Sequence, residues 1–355
     1  MTTPFWAPPP EKYPGELPEK ADVLVIGGGI AGTSLLYHLT QRKIDAVLVE
    51  RRHLAWGASG RNAGFLLAGV AASYAEATRA YGRDRARELW ELTNENQDRM
   101  IEAARGRDVQ HRRLGSALLP VDEVERGLLI ESEQLLREDG FEATWDGSRL
   151  LNPRDGEIDP SRMVAALARQ GRQSAIREGV GVTTLTARRS DVTVQAGDAS
   201  CVAGVVILAT NAYTSELLPD VKIRPTRAQM LATASMPTTL APRPTYSNYG
   251  YRYWRQLASG EFLIGGWRDT RLDQENTSDD VTSPEIQARL DSAAVELGAT
   301  APVTHRWAGI MGFTENGLPL AGPVDGMPNV YLCAGFTGHG MGFAFITAKR
   351  VAESI

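Results

Sequence analysis

Three groups of residues have types and spacings suited to chemistry. Gly27, Gly29 and Gly32 form a G-x-G-x-x-G pattern, and Glu50 lies 18 positions beyond the last of them. Such glycines permit a tight turn, let a pyrophosphate approach the backbone and allow close helix-to-strand contact. Ile30 and Ala31, at the start of the helix that follows, offer N–H groups to the phosphates, and Glu50 with its neighbour Arg51 sits where ribose hydroxyls are bound. The second group is Gly57-Ala58-Ser59-Gly60-Arg61-Asn62-Ala63-Gly64, directly downstream of that acid. It supplies backbone N–H groups and polar side chains where a simple NAD protein would begin another crossover helix, which tips the reading towards FAD. The third is Gly335-Phe336-Thr337-Gly338-His339-Gly340-Met341-Gly342 near the C-terminus. Four glycines so close together weaken both helix and strand, so this backbone must turn sharply or come very near something.

These residues need elements to position them. Asp22–Ile26 is a short apolar run of the kind that makes a buried parallel strand, a helical pattern follows through Leu39, and Ala46–Val49 is a second strand ending at Glu50. Strand, glycine turn, helix, strand and acid occur in order, so the pattern is more than a lone glycine motif. Gly204–Ala209 reads as one more parallel strand, with Thr210 in the turn at its carboxyl end, where such sheets form their ligand crevice. Asn329–Ala334 is a strand, and the helix from Met341 then aims its positive end at the ligand, which favours negative charge on a reduced flavin. The segment 155–170 is a helix with Asp159 as N-cap and Pro160 at its first position, and a second Pro-started helix runs from Ser283 to Leu297. Residues 71–147 read as a helical insertion. From Arg224 the pattern changes to alternating strands, with Ser259-Gly260 as a hairpin turn.

At 355 residues the chain is long enough for two domains. The expected fold class is α/β: a Rossmann-like FAD-binding domain of the glutathione-reductase type, with a second α+β substrate domain built on a mixed sheet. The division runs 1–20 as an extended proline-rich arm, 21–80, 155–225 and 317–355 as the FAD-binding domain, and 81–154 and 226–316 as the substrate domain. A net charge of -5 and the absence of a Lys/Arg cluster argue against a nucleic-acid surface. The arm lacks the basic and apolar regions of a signal peptide, and no apolar run approaches a membrane span, so a cytoplasmic location is expected. Cys201 and Cys333 lie in apolar, strand-like runs and read as buried reduced thiols. The five histidines form no cluster at ligand spacing, so no metal is expected, and no G-x-S-x-G elbow suggests a hydrolase.

The wording "DVLVIGGGIAGTSLLYHL", "VLVERRHLAWGASGRNAGFL" and "NVYLCAGFTGHGMGFAF" resembles the three flavin-contacting segments of the D-amino-acid-oxidase superfamily, which includes glycine oxidase, sarcosine oxidase and gamma-glutamylputrescine oxidase. The resemblance spans residues 22–355 and is strongest in the second and third segments, where the wording is closest to gamma-glutamylputrescine oxidase. It implies a non-covalent FAD contacted by the glycine turns, by residues 58–64, Thr210 and residues 335–341. It further implies a small-molecule amine or amino-acid substrate, with O2 taking the electrons to give hydrogen peroxide. No partner macromolecule is implied, and a covalent link like that of sarcosine oxidase is not, because the family's cysteine position near Ala308 holds no cysteine.

Hydride transfer from the carbon next to a neutral nitrogen to flavin N5 gives an imine and requires no strong side-chain base, so binding, orientation and exclusion of water become the protein's tasks. Period-two alternation would place Tyr249, Tyr251, Tyr253 and Arg255 on one face as an aromatic wall that suits an amine. Gly265-Gly266-Trp267-Arg268 resembles the family's glycine pair near the active site. Glycine oxidase has a substrate-clamping arginine after its "WAGL" segment. Here Met311 follows Trp307-Ala308-Gly309-Ile310, which shifts the expectation towards amines or N-substituted amino acids unless Arg252, Arg255 or Arg268 takes over. The residues expected at the reacting centre are therefore Tyr251, Arg255, Trp267, Met311 and His339. For His339 two readings stand, a side chain held by backbone hydrogen bonds beside the flavin or a proton carrier. For the whole chain the alternatives are a dehydrogenase of the same fold that passes electrons to a quinone or carrier, and a flavoprotein with other chemistry such as tRNA or thiazole modification.

Overall fold

The computed structural model describes residues 2–355. Its first sheet runs, in spatial order, Leu320–Val324, Met327–Ala334, Ala199–Leu208, Lys20–Ile26, Ala46–Glu50, Ile176–Glu178. The central strands are parallel, with Val25 opposite Leu48 on one side and Ile207 on the other. Their near-continuous apolar runs follow from burial on both faces. Helices Ile30–Gln41, Pro160–Gln170 and Gly340–Glu353 cover one face through Leu35, Leu36, Leu39, Val164, Leu167 and Phe345. On the other face Leu24, Ile26, Val206 and Leu208 meet the strands Thr184–Ala187 and Val192–Ala196. The parallel strands end at Ile26, Glu50, Leu208 and Ala334, so all the glycine turns gather at one edge.

The second sheet is mixed. Its order is Val303–Phe313, Arg224–Thr233, Phe262–Gly266, Arg252–Gln256, Thr245–Ser247, Ser116–Leu119, Leu150–Asn152, Thr144–Trp145. Helix Pro284–Glu296 covers its outer face, packing Ile286 and Leu290 among Leu231, Phe262 and Ile264. Its inner face places Met230, Leu263 and Trp307 against Ala63, Phe65 and Leu67. That packing lays the second sheet over the glycine loop at 57–64.

Two expectations need correction here. The insertion at 71–147 is helical at Tyr74–Tyr81, Arg83–Ala103 and Glu123–Glu138, yet it also adds Ser116–Leu119 and Thr144–Trp145 to the sheet. Such short strands have too little alternation to register as a pattern. The strand expected to carry Tyr249 and Tyr251 begins only at Arg252. Asn248, Tyr249 and Gly250 have φ of 53°, 53° and 79°, a left-handed turn that ends the alternation before it reaches those tyrosines.

The N-terminal arm is anchored along its length. Trp6 is 4% exposed. The Ser161 hydroxyl donates to the Ala7 carbonyl at 2.6 Å, and the Tyr13 N–H donates to Glu178 Oε2 at 2.9 Å. Among the described residues no helix is long and apolar enough to cross a membrane.

Candidate active site

The strand-turn-helix unit is tight because it must be. A Cβ on Gly32 would lie 1.8 Å from the Gly27 carbonyl oxygen, so only glycine lets the helix pack against the turn. Gly29 stands at the helix N-cap with no side-chain cap, and the Ile30 N–H donates to Ser59 Oγ at 2.8 Å. The sequence reading had assigned that N–H to phosphate. The structure gives it to Ser59, leaving Ala31 beside it as the first-turn residue that lines the cavity without such a partner. Glu50 accepts from the Gly28 N–H at 2.7 Å and the Arg52 N–H at 2.8 Å, and burial pushes its carboxyl above the ordinary range. Arg51 beside it pairs with Glu216 at 3.1 Å.

The loop at 58–64 is held from behind by its own carbonyls. The Trp307 indole N–H donates to the Arg61 carbonyl at 2.9 Å, and the Trp6 indole N–H donates to the Asn62 carbonyl at 2.7 Å. Arg255 Nη1 donates to the carbonyls of Ala63 at 3.0 Å and Gly64 at 2.8 Å. Four consecutive carbonyls are thus fixed by three side chains from other parts of the chain. Asn62 ties the loop to itself, donating to the carbonyls of Ala58 and Ser59 and accepting from the Gly64 N–H. Arg61, 5% exposed, donates to the Trp56 carbonyl, the Thr2 hydroxyl and the Ala308 carbonyl, with Asp280 at 3.6 Å. The side chains of Arg61 and Asn62 therefore build the loop, whose residues line the cavity.

The cradle opens without interruption into a pocket under the second sheet, and the two form one cavity of about 320 Å³. Tyr246, Tyr253, Arg268, Met311, Phe313 and His339 line the part under that sheet. The Tyr246 ring stacks on that of His339 at 6.3 Å and meets Tyr253 edge-on at 5.8 Å. Gly265 makes room for this, because a Cβ there would lie 2.5 Å from the Tyr253 ring. Burial, reinforced by Arg268, lowers the His339 imidazole to about 4, so it is neutral at physiological pH. Burial raises Tyr246, and raises Tyr253 to about 12, so both keep their hydroxyl protons. Deeper in, Asp155 accepts from the Ser116 hydroxyl at 2.6 Å and the Ala68 N–H at 2.9 Å, and burial raises its carboxyl to about 6.

Of the expected site residues, the cavity is lined by Gly27, Gly29, Ile30, Ala31, Glu50, Arg51, Ala58, Ser59, Arg61, Asn62, Ala63 and Thr210. Met311, Thr337, Gly338, His339, Gly340 and Met341 line it as well. Gly32, Gly64 and Gly335 stand just behind, as packing points. Gly64 has φ of 72°, and a Cβ there would lie 2.3 Å from the Ile158 carbonyl oxygen. The Gly335 N–H donates to Asn211 Oδ1 at 3.0 Å.

Three residues expected at the reacting centre do not line the cavity. Tyr251 lies under the Arg268 guanidinium, 4.4 Å from its ring centre. The Trp267 ring packs with the outer cluster and takes the Arg252 guanidinium at 5.4 Å. Arg255, 1% exposed, is occupied by loop carbonyls and has Glu157 at 3.3 Å. It positions the loop rather than touching the reacting atoms. The sequence reading missed Tyr246 and Asp155. Tyr246 sits on a three-residue strand, and Asp155 was counted only as the first residue of the helical segment 155–170, whose helix begins at Pro160. Among the described residues no group of three His, Cys, Asp or Glu is placed to hold a metal ion.

The donor set and shape fit FAD: a helix N-terminus whose Ala31 lines the cavity, glycines that admit a phosphate, an acid at the end of the second strand and a loop whose residues line the same cleft. Cys201 and Cys333 are buried in strands and line no part of the cavity, so neither can carry a covalent flavin.

Comparison with known proteins agrees with this geometry. The family model described as "DAO: FAD dependent oxidoreductase" matches residues 22–354. The gamma-glutamylputrescine oxidoreductase of Escherichia coli K12 is 24% identical over 94% of this chain and 83% of its own length. The bifunctional protein MnmC of Maricaulis maris, which acts in tRNA 5-methylaminomethyl-2-thiouridine biosynthesis, is 28% identical over 94% of this chain and 52% of its own length. Among solved structures, glycine oxidase from Geobacillus kaustophilus superposes with a TM-score of 0.81 at 20% identity, covering 95% of each chain. With the cradle, the loop and the final helix all placed for one flavin dinucleotide, the chain belongs to the DAO family of FAD-dependent oxidoreductases.

Proposed function

We propose that the protein oxidises the C–H bond next to nitrogen in an amine or amino acid. The observation that carries this reading is the continuity of the flavin cradle with a pocket walled by Tyr246, Tyr253, Met311 and neutral His339. Bound FAD would supply two-electron acceptance: the substrate would lose hydride from carbon and a proton from nitrogen to leave an imine, and dioxygen would take up two electrons and two protons as hydrogen peroxide. The chain's residues bind, orient and exclude water. Aromatic faces favour the amine, Tyr246 and Tyr253 offer hydroxyl protons for hydrogen bonding, and Ala31, Glu50, Ser59, Thr210 and the turn at 335–341 would hold the cofactor. The start of helix Gly340–Glu353, which has no side-chain cap, favours negative charge nearby. In this reading 21–80, 155–225 and 317–355 carry the cofactor, and 81–154 with 226–316 carry the substrate face.

The relative that acts in tRNA modification motivates a second reading, a flavin site serving an RNA-borne amine. The net charge of -5 and the presence of Glu76 and Glu125 along the cavity favour a free small molecule instead. The test is a kinetic isotope effect. Deuterium on the carbon next to nitrogen should slow flavin reduction several-fold, with peroxide formed in step with substrate lost. An absent isotope effect at saturating reduction, or electrons that reach a quinone while dioxygen stays inert, would reject the respective half of the proposal.

A further inference from the structure

The second sheet carries one continuous row of residues along the cavity. Met230 is opposite Gly265, Gly265 opposite Tyr253, Tyr253 opposite Tyr246, Tyr246 opposite Leu118 and Leu118 opposite Leu150. Paired residues on neighbouring strands share a face, so the aromatic wall passes without a break into an aliphatic one. At ~4.8 Å per strand, Leu118 and Leu150 carry the wall about 10 Å beyond Tyr246. Both line the same cavity as Tyr246 and His339.

The helical insertion completes this extension. Helix Glu123–Glu138 packs on strands Leu150–Asn152 and Thr144–Trp145 and contributes Leu128, while Val70 and Ala72 line the cavity from the segment ahead of helix Tyr74–Tyr81. Leu118 and Leu128 are each only half-buried. The buried polar side chains that reach this end are already occupied. Ser116 donates to Asp155 at 2.6 Å, and Asp155 also accepts from the Ala68 N–H at 2.9 Å. Glu125 accepts from the N–H groups of Val121 at 2.8 Å and Tyr249 at 2.6 Å, and the Tyr74 hydroxyl donates to Asp139 at 2.6 Å. A polar substituent placed among these leucines would give up its water for no new partner, whereas a hydrocarbon gains by leaving water.

We infer that this extension binds an apolar substituent of the substrate, so that the amine or amino acid oxidised here carries an extended hydrocarbon chain, with Leu118 and Leu128 as specificity-determining residues. The inference rests on the proposed function and narrows its substrate class.

The test uses two homologous series, n-alkylamines from ethyl to octyl and racemic straight-chain 2-amino acids of matching length, with the holoenzyme and with Leu118→Trp and Leu128→Trp. In a series that reduces the flavin, kcat/KM should rise about threefold per added methylene until the extension is filled. Leu118→Trp and Leu128→Trp fill the extension from different elements, and each should flatten that rise. No dependence on chain length in the wild type, or a rise that both variants keep, would overturn the inference. If neither series reduces the flavin, that counts against the proposed function, and binding decides the inference by itself. Alkyltrimethylammonium ions have no nitrogen lone pair to assist hydride loss, so they report binding without reaction through the flavin absorbance. A Kd that tightens about threefold per methylene in the wild type and not in the two variants supports the inference, and a Kd independent of chain length rejects it.

Discussion

The flavin cradle and the substrate wall lie in one cavity but are built by opposite means. The cradle is backbone: glycines admit the ligand, and side chains such as Trp6, Trp307 and Arg255 work from behind by gripping carbonyls. The wall is side chain: Tyr246, Tyr253, Arg268 and Met311 come from four separate strands or strand ends. A backbone site tolerates little change in shape, whereas a side-chain site can be re-specified by one residue.

The largest effect expected from this contrast is at Gly32. Gly32→Ala places a methyl against the Gly27 carbonyl, so we predict loss of roughly 3 kcal/mol and a largely FAD-free protein, read by flavin absorbance of the purified chain. Gly57→Ala, in the same cradle, meets nothing within 4 Å and should retain FAD, with a stability change below about 1 kcal/mol. Equal FAD loss in both would break the comparison.

Next comes Arg255→Met, which releases two loop carbonyls and leaves buried Glu157 without this partner. A cost of roughly 3–5 kcal/mol in denaturant unfolding is expected, accompanied by faster FAD release. Unchanged FAD release would return Arg255 to a role outside the loop.

Trp6→Phe is gentler. It keeps a ring beneath Arg255, 5.2 Å away in the native protein, and removes one hydrogen bond to the Asn62 carbonyl. About 1 kcal/mol is expected, and FAD dissociation should quicken about fivefold. An FAD off-rate equal to that of the wild type would show that the arm does not support the cradle.

The smallest effect concerns acid stability far from the substrate. Burial lowers His38 from 6.5 to about 4, although its ring nitrogen contacts the Phe345 carbonyl at 3.1 Å. Between those values the unfolded chain binds a proton that the folded chain does not, so this residue's contribution falls as pH drops from 6.5 towards 4. Asp155 acts in the other direction: its folded value of about 6 lies above 3.8, so its contribution falls as pH rises through that interval. His38→Gln should flatten the acid side of a melting-temperature profile, and a profile that keeps its full slope would contradict the assignment.

The same contrast explains what could be read from the chain. Gly27, Gly29, Gly32 and Glu50 were legible because a dinucleotide cradle needs particular residue types at fixed local spacing. Helices Pro160–Gln170 and Pro284–Glu296 were legible from Asp159 with Pro160 and from Ser283 with Pro284. Tyr246 was not, because a three-residue strand carries no period and its partners His339 and Tyr253 are distant in sequence. Tyr251 was misplaced because left-handed residues at 248 and 249 cut the alternation that was extended through them, and Trp267, expected from its likeness to the family's glycine pair, turns to the outer cluster at its own φ of 61°. Arg255 fell on the expected face, but its engagement with Ala63, Gly64 and Ile158 depends on tertiary packing that local pattern does not encode.

The most direct test is anaerobic titration of the purified flavoprotein with N-methyl amino acids, free D- and L-amino acids and polyamines, followed in visible absorbance. The account predicts full bleaching by an amine or amino acid of this panel and return of the yellow colour, with peroxide, when air is admitted. An FAD-loaded protein that stays yellow with every member of the panel would contradict it.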